Sequence, residues 1–358
     1  MVKRIQSGLE EGISDNRKSD NRKSDNRISD NRKSEIENPI ESFFNDLAQN
    51  IEPHNLYEPV HYIMSQGGKR IRPQLVLLAA ELFGATQEDA FYPATAFEML
   101  HNFTLIHDDI MDNAPIRRGK ETVYKKWNSN IAILSGDVLA SMAMQQLLKT
   151  PCTPETLIKM SNIFIQTSIQ ICEGQQYDLD FETQEEVTLD EYLNMIKLKT
   201  AVMLAGCLKT GAVLSNASEQ DQEALYQYGI NTGIAFQLVD DLLDVYADKE
   251  TFGKEIGGDI QANKKTFLYL LALQKANKEQ KEQLIDLFSA TNGTNYTNVQ
   301  KFNAVKTIFD ALRCKEETEK FVEEYLTKAY QNIEETNLND KKKEQLRELA
   351  LTLSKRKK

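Results

Sequence analysis

The chain has 358 residues, 41% of them hydrophobic, and a formal net charge of −11. That is enough apolar material for a substantial core, while the acidic excess argues against nucleic acid or an anionic membrane as the main partner. No uninterrupted apolar run of about 18 residues occurs, so no membrane-spanning helix is expected, and the amino terminus lacks the apolar core of a secretory signal. The four cysteines (152, 172, 207, 314) are scattered without Cys-x-x-Cys spacing. They read as buried free thiols of a soluble, cytoplasmic protein rather than as a disulfide framework or zinc site.

Residues 14–34 repeat with a period of five (SDNRK, SDNRK, SDNRI, SDNRK, then Ser34), and Ile28 is the repeat's only apolar side chain. Such a segment cannot offset its ordering entropy by burial, so residues 1–36 read as a disordered, low-complexity extension and 37–358 as one domain. From Ile40 onward the pattern is helical. Helices are expected at about 40–51, 55–65, 70–83, 88–111, 129–149, 154–172, 188–214, 219–248, 264–290, 300–313, 315–335 and 340–353. Gly67-Gly68, Gly84, Pro115 with Gly119, Pro151 with Pro154, Gly257-Gly258 and Asn292-Gly293 punctuate them. No sustained strand-type alternation is present. The fold class is all-α: a single bundle of roughly a dozen helices, with 88–111 and 219–248 apolar on most sides and therefore central.

Each of those two helices carries an Asp-Asp-x-x-Asp cluster near its carboxyl end: Asp108, Asp109 and Asp112, and Asp240, Asp241 and Asp244. The first and last Asp of each lie one helical turn apart and share a face. Negative side chains at a negative helix end are costly in isolation, and like charges so close repel unless cations hold them. Carboxylates from two helices converging on a cavity suit Mg²⁺, which keeps waters and completes its shell with substrate phosphates. Basic residues stand at turns able to face the same cavity. Gly67-Gly68-Lys69-Arg70-Ile71-Arg72-Pro73 opens a helix with Lys69 and Arg72 three apart, a pattern suited to a diphosphate. Arg117 and Arg118 follow the first cluster, and Lys199-Thr200 and Gly253-Lys254 add donors. His101 lies two turns before Asp108 on the same face.

The segments GGKRIRP (67–73), HNFTLIHDDIMD (101–112), RRG (117–119), GD (136–137), GQQYD (174–178), KT (199–200), GIAFQLVDDLLD (233–244) and FGKEIGGDI (252–260) occur in one order. Together they resemble the trans-isoprenyl diphosphate synthases, the polyprenyl synthetase family, over roughly residues 40–350. The resemblance implies an isoprenoid synthase fold around a central apolar cavity, and a head-to-tail prenyltransferase joining isopentenyl diphosphate to allylic prenyl diphosphates. It implies Mg²⁺ on Asp108, Asp112 and Asp240, with Asp109, Asp241 and Asp244 in support. Three ions would be present with substrate bound, and Mn²⁺ would substitute. By the same resemblance Arg117, Lys199, Thr200, Gln237 and Lys254 hold the allylic diphosphate, with Lys199, Thr200 and Gln237 nearest the reacting centre. Lys69, Arg72, His101 and Arg118 hold isopentenyl diphosphate. The family's next lysine falls on Lys264, but the glycine expected before it is Asn263. The family is usually homodimeric.

A growing product would run from Asp108 toward the amino end of its helix. Phe103 and Thr104 then lie about 7.5 and 6 Å below the aspartate at 1.5 Å rise per residue. Phe103 is a candidate floor, and an aromatic at that position alone resembles geranylgeranyl synthases, with farnesyl next and longer products as the alternative. A non-catalytic subunit of a heteromeric synthase would lose an Asp cluster or the basic residues, which this chain keeps. A terpene cyclase would not carry the second Asp cluster. A His-Asp phosphohydrolase would need more histidines than the four present.

Overall fold

The computed structural model describes residues 39–247, 257–289 and 296–354. Two compact units are distinguished, 1–42 and 43–358. Of the first, only 39–42 are described, and they are helical. The five-residue repeat, Lys254 and the basic residues 355–358 lie outside the described residues.

In the second unit, α1 (His54–Met64), α2 (Ile71–Leu82) and α3 (Gln87–Met111) lead to a two-residue hairpin, β1 (Ile116–Arg117) and β2 (Lys120–Glu121). Then come α4 (Val123–Lys126), α5 (Ser129–Leu147), α6 (Pro154–Thr183), α7 (Leu189–Ile196), a π-helical turn at Lys197–Ala201, and α8 (Val202–Leu214). The chain continues with α9 (Glu219–Tyr246), α10 (Gly258–Gln261), α11 (Phe267–Lys275), α12 (Lys278–Phe288), α13 (Asn298–Ala311), α14 (Cys314–Glu334) and α15 (Asp340–Ser354). The all-α expectation holds, the hairpin being the only sheet among the described residues.

Local signals set the helix starts. Thr86 accepts from the Asp89 N–H while the Asp89 carboxylate accepts from Thr86, a capping box opening α3. Thr188 and Glu191 do the same for α7. Helix α8 is apolar all round and buried along nearly its whole length, packed among α2, α3, α6 and α9. Helices α3 and α9 run through the same core, as expected, and end at the two Asp clusters.

Five expectations need correction. The helix begun at 154 runs to Thr183 rather than ending near 172. The segment 264–290 is two helices, because Asn277 caps α12 through a reciprocal bond with Gln280 and so interrupts the run. The segment 188–214 contains the π turn. Helix α2 starts at Ile71 with Arg70 in the left-handed region, so Lys69 and Arg72 do not share a helical face. Finally, only Cys207 and Cys314 are buried. Cys172 is exposed on α6 and Cys152 is half-buried in the bend before it.

Candidate active site

The first Asp cluster occupies the last turn of α3, with Asp112 as its carboxyl cap. Asp109 is buried, 1% exposed at its side chain, and accepts from Arg117 Nε at 2.6 Å. The same guanidinium lies 3.4 Å from Asp108. It gets there because Arg118 and Gly119 form the hairpin's two-residue turn, both at positive φ (54° and 75°), a backbone that reverses the chain within two residues. Arg118 donates to the carbonyl of Gly67, in the loop between α1 and α2, at 2.9 Å.

Lys199 sits in the π turn. Its ammonium lies 2.5 Å from Asp178 of α6 and 3.3 Å from Asp108. Two glycines permit this placement. A Cβ on Gly174 would lie 2.3 Å from the Lys199 backbone nitrogen, and one on Gly233 would lie 2.5 Å from the Ala201 Cα. The π turn is thus pressed between α6 and α9, an arrangement often found at functional sites. Burial opposes the charge of Lys199, but Asp108 and Asp178 outweigh it and raise its pKa.

The second cluster lies in the last two turns of α9. Asp241 is buried and accepts three bonds, from the Tyr192 hydroxyl (2.6 Å), Gln237 (3.2 Å) and the Phe267 N–H (3.3 Å). Gln237 also accepts from Thr200 at 3.2 Å. Asp244 accepts from the backbone N–H groups of Gly258 and Asp259 at the start of α10. Lys264 spans the gap, lying 3.3 Å from Asp112 while lining the same cavity as Asp240 and Asp241. Asn263 takes φ 58°, a left-handed backbone that glycine and asparagine adopt most readily. Asparagine therefore replaces the expected glycine without displacing Lys264.

Two adjoining cavities share Lys199 and Thr200 as a common wall. One, of about 260 Å³, is lined by Arg72, His101, Phe103, Thr104, Asp108 and Met203 among others. The other, of about 150 Å³, holds Asp178, Gln237, Asp240, Asp241, Asp259 and Lys264. Burial, then the Arg72, Arg118, Arg117 and Arg70 charges, push the His101 pKa well down. Lys69 is exposed and lines neither cavity. The structure therefore joins all six aspartates with Arg117, Lys199, Thr200, Gln237 and Lys264, and sets Arg72 and His101 beside them.

The carboxylates are crowded. Burial and then Asp259 push Asp241 up to about 8 and Asp244 to about 7. Burial also lifts Asp109 to about 6 against the pull of Arg117. Asp108 Oδ1 and Asp109 Oδ2 are buried with no hydrogen-bond partner, although the former feels Lys199 at ion-pair distance. Among the described residues no three acidic, His or Cys side chains converge tightly enough to enclose an ion alone. Hard oxygen donors in two open halves fit a cation whose shell a ligand phosphate completes. Asp178, Asp259 and Tyr192 were not among the sequence candidates. Asp178 and Asp259 stand within the GQQYD and FGKEIGGDI segments, whereas Tyr192 carries no motif signal.

These features define an all-helical protein with two carboxylate clusters and several basic side chains around adjoining cavities. The sequence matches the polyprenyl synthetase family over residues 53–306. It is 42% identical over 239 residues to geranylgeranyl diphosphate synthase of Methanosarcina mazei, covering 67% of this chain and 74% of that one. A crystal structure of a geranylgeranyl pyrophosphate synthase superposes with TM-score 0.84 at 44% identity, covering 91% of this chain and 99% of the other. A polyprenyl synthase from Caulobacter crescentus, solved with calcium and isoprenyl diphosphate, superposes with TM-score 0.79 at 28% identity, covering 93% and 97%. The chain belongs to the polyprenyl synthetase family and is a trans-prenyltransferase.

Proposed function

We propose that this enzyme condenses isopentenyl diphosphate with allylic diphosphates, head to tail, to give geranylgeranyl diphosphate and free diphosphate. The observation that carries it is the pair of Asp clusters facing a shared wall of Lys199 and Thr200, with an apolar cavity continuing past Asp108 to Phe103 and Thr104. The high identity to the Methanosarcina mazei enzyme favours the geranylgeranyl product.

Mg²⁺, as three ions with substrate or with Mn²⁺ in its place, would be held by Asp108, Asp112 and Asp240, supported by Asp109, Asp241 and Asp244, and would neutralise charge on the leaving diphosphate. Arg117, Lys199 and Lys264 surround the same region and hold the allylic diphosphate, with Lys254 assigned there by its motif. Arg72, His101 and Arg118, with Lys69 at the exposed edge, receive isopentenyl diphosphate. The allylic C–O bond breaks with its electron pair leaving on the diphosphate. The isopentenyl double bond attacks the resulting cation, and the adduct's proton goes to the released diphosphate. The lysine and arginine charges stabilise the oxygen on which negative charge develops. Thr200 and Gln237, joined by a hydrogen bond, present oxygen dipoles to positive charge without attacking it. The apolar walls keep water from the cation.

We further read the enzyme as a cytoplasmic homodimer. Ile133 and Leu134 on α5 and Ile158, Ile165 and Ile169 on α6 are each 42–61% exposed, an apolar surface suited to a second copy. No described helix is long and apolar enough to cross a membrane. Residues 1–36 are assigned as a low-complexity extension of the catalytic domain. Incubation with isopentenyl diphosphate, dimethylallyl, geranyl or farnesyl diphosphate and Mg²⁺, followed by product chromatography, tests the reading. Failure to condense any starter would refute it, and a product beyond geranylgeranyl would correct its length.

A further inference from the structure

We propose that His107, seated by Gly136, is a product-length determinant of this enzyme. The inference rests on the proposed reading that the cavity beneath Asp108 receives the growing prenyl chain. Phe103 and His107 are one turn apart on α3 and both line that cavity. Their rings meet edge to face, with centroids 4.8 Å apart and planes at 68°, a favourable aromatic arrangement. The imidazole is fixed from the other side by α5. Its Nε2 lies 3.1 Å from the Ile133 carbonyl, which can only accept, so that nitrogen carries the proton and donates.

Gly136 supplies the space for this seat. A Cβ there would fall 2.3 Å from His107 Nε2 and 2.6 Å from Cδ2, distances at which one partner must move. Gly136 is buried in α5, and α5 packs along α3, so the imidazole is the group with freedom to yield. On its far side from Gly136 the ring lines the cavity and meets Phe103, so displacement away from α5 carries it that way. Phe103 is thus not an independent floor. Its ring is backed by a histidine whose position is set by the absence of a side chain on the neighbouring helix.

His107→Ala removes the backing and opens the wall, and its main product is expected to be at least one isoprene unit longer than that of the unmodified enzyme. Gly136→Ala pushes the imidazole into the cavity and shifts the distribution toward farnesyl diphosphate. The double variant lacks the clash and returns to the His107→Ala pattern, and it carries the test should Gly136→Ala alone not fold. Product lengths are read by chromatography after incubation with labelled isopentenyl diphosphate and each allylic starter. A His107→Ala enzyme with the unmodified product distribution overturns the proposal. Phe103→Ala in the same series separates the two readings. If it changes nothing while His107→Ala lengthens the product, the Phe103 floor fails and the His107 assignment stands. If Phe103→Ala alone lengthens it, the reverse holds.

Discussion

Tyr192→Phe deletes one oxygen and leaves the packing of a buried ring almost untouched. That oxygen donates the shortest of three bonds to Asp241, at 2.6 Å, between groups 4% and 3% exposed. Without it, Oδ2 keeps only the longer bond from the Phe267 N–H at 3.3 Å. Loss of such a buried bond costs about 1.5 kcal/mol. With about 2.1 cal/mol/K of unfolding entropy per residue over roughly 300 ordered residues, that corresponds to a Tm lower by about 2–3 °C. The functional effect should be larger than the structural one. Removing a partner that orients a carboxylate at a metal site lowers metal affinity about 10- to 100-fold, so, given the supporting metal role proposed for Asp241, the Mg²⁺ concentration giving half-maximal condensation should rise at least tenfold. Differential scanning calorimetry and a Mg²⁺ titration of initial rates measure the two effects. A Mg²⁺ requirement within twofold of the unmodified enzyme would refute the role assigned to Tyr192, whatever the Tm.

Glu98→Ala removes the carboxylate paired with Arg70, at 3.0 Å with both side chains 2% exposed; breaking such a buried ion pair should cost about 3–5 kcal/mol, read as a fall in the denaturant midpoint. Lys199→Met should keep the fold but lower kcat/KM by about 100-fold or more, the scale for losing one donor at a developing oxyanion, measured by steady-state kinetics with geranyl diphosphate. Because burial and nearby arginines hold the His101 pKa well below its ordinary value, the native imidazole stays neutral while the unfolded one takes up a proton below about pH 6.5. Stability is therefore lost as pH falls through that value, by about 1.4 kcal/mol per unit, and His101→Gln should lose correspondingly less between pH 7.5 and 5.5 in urea titrations.

The carboxylate clusters were legible because their signal is local: spacing along one helix, at the end of an apolar run, against the helix dipole. Lys264 was legible even across a motif mismatch, since Asn263 tolerates the left-handed backbone that glycine would take there. The contacts that orient these groups were not. Tyr192 meets Asp241 across 49 residues and Asp178 meets Lys199 across 21; Tyr192 carries no motif signal, and the GQQYD and KT segments do not say that their Asp and Lys pair. The α11–α12 break is different. Its Asn277 and Gln280 capping pair is a local signal, standing between the apolar 267–274 stretch and the charged 278–283 stretch. Helix α6 continues past the expected end near 172 and through Gly174, which packs closely against the Lys199 backbone.

The π turn at Lys197–Ala201 separates two demands that one continuous α-helix would have to meet with a single rotation angle. Helix α8 must present its apolar surface to α2, α3 and α9, while α7 must turn Tyr192 onto Asp241. Each residue advances an α-helix by about 100°, so one extra residue in the turn resets the phase of α7 without touching α8. Deleting a single residue from this stretch would swing Tyr192 about a quarter turn or more from its carboxylate while leaving the core helix in register. The irregular turn therefore acts as a coupling joint, letting the buried scaffold and the reactive rim be tuned separately.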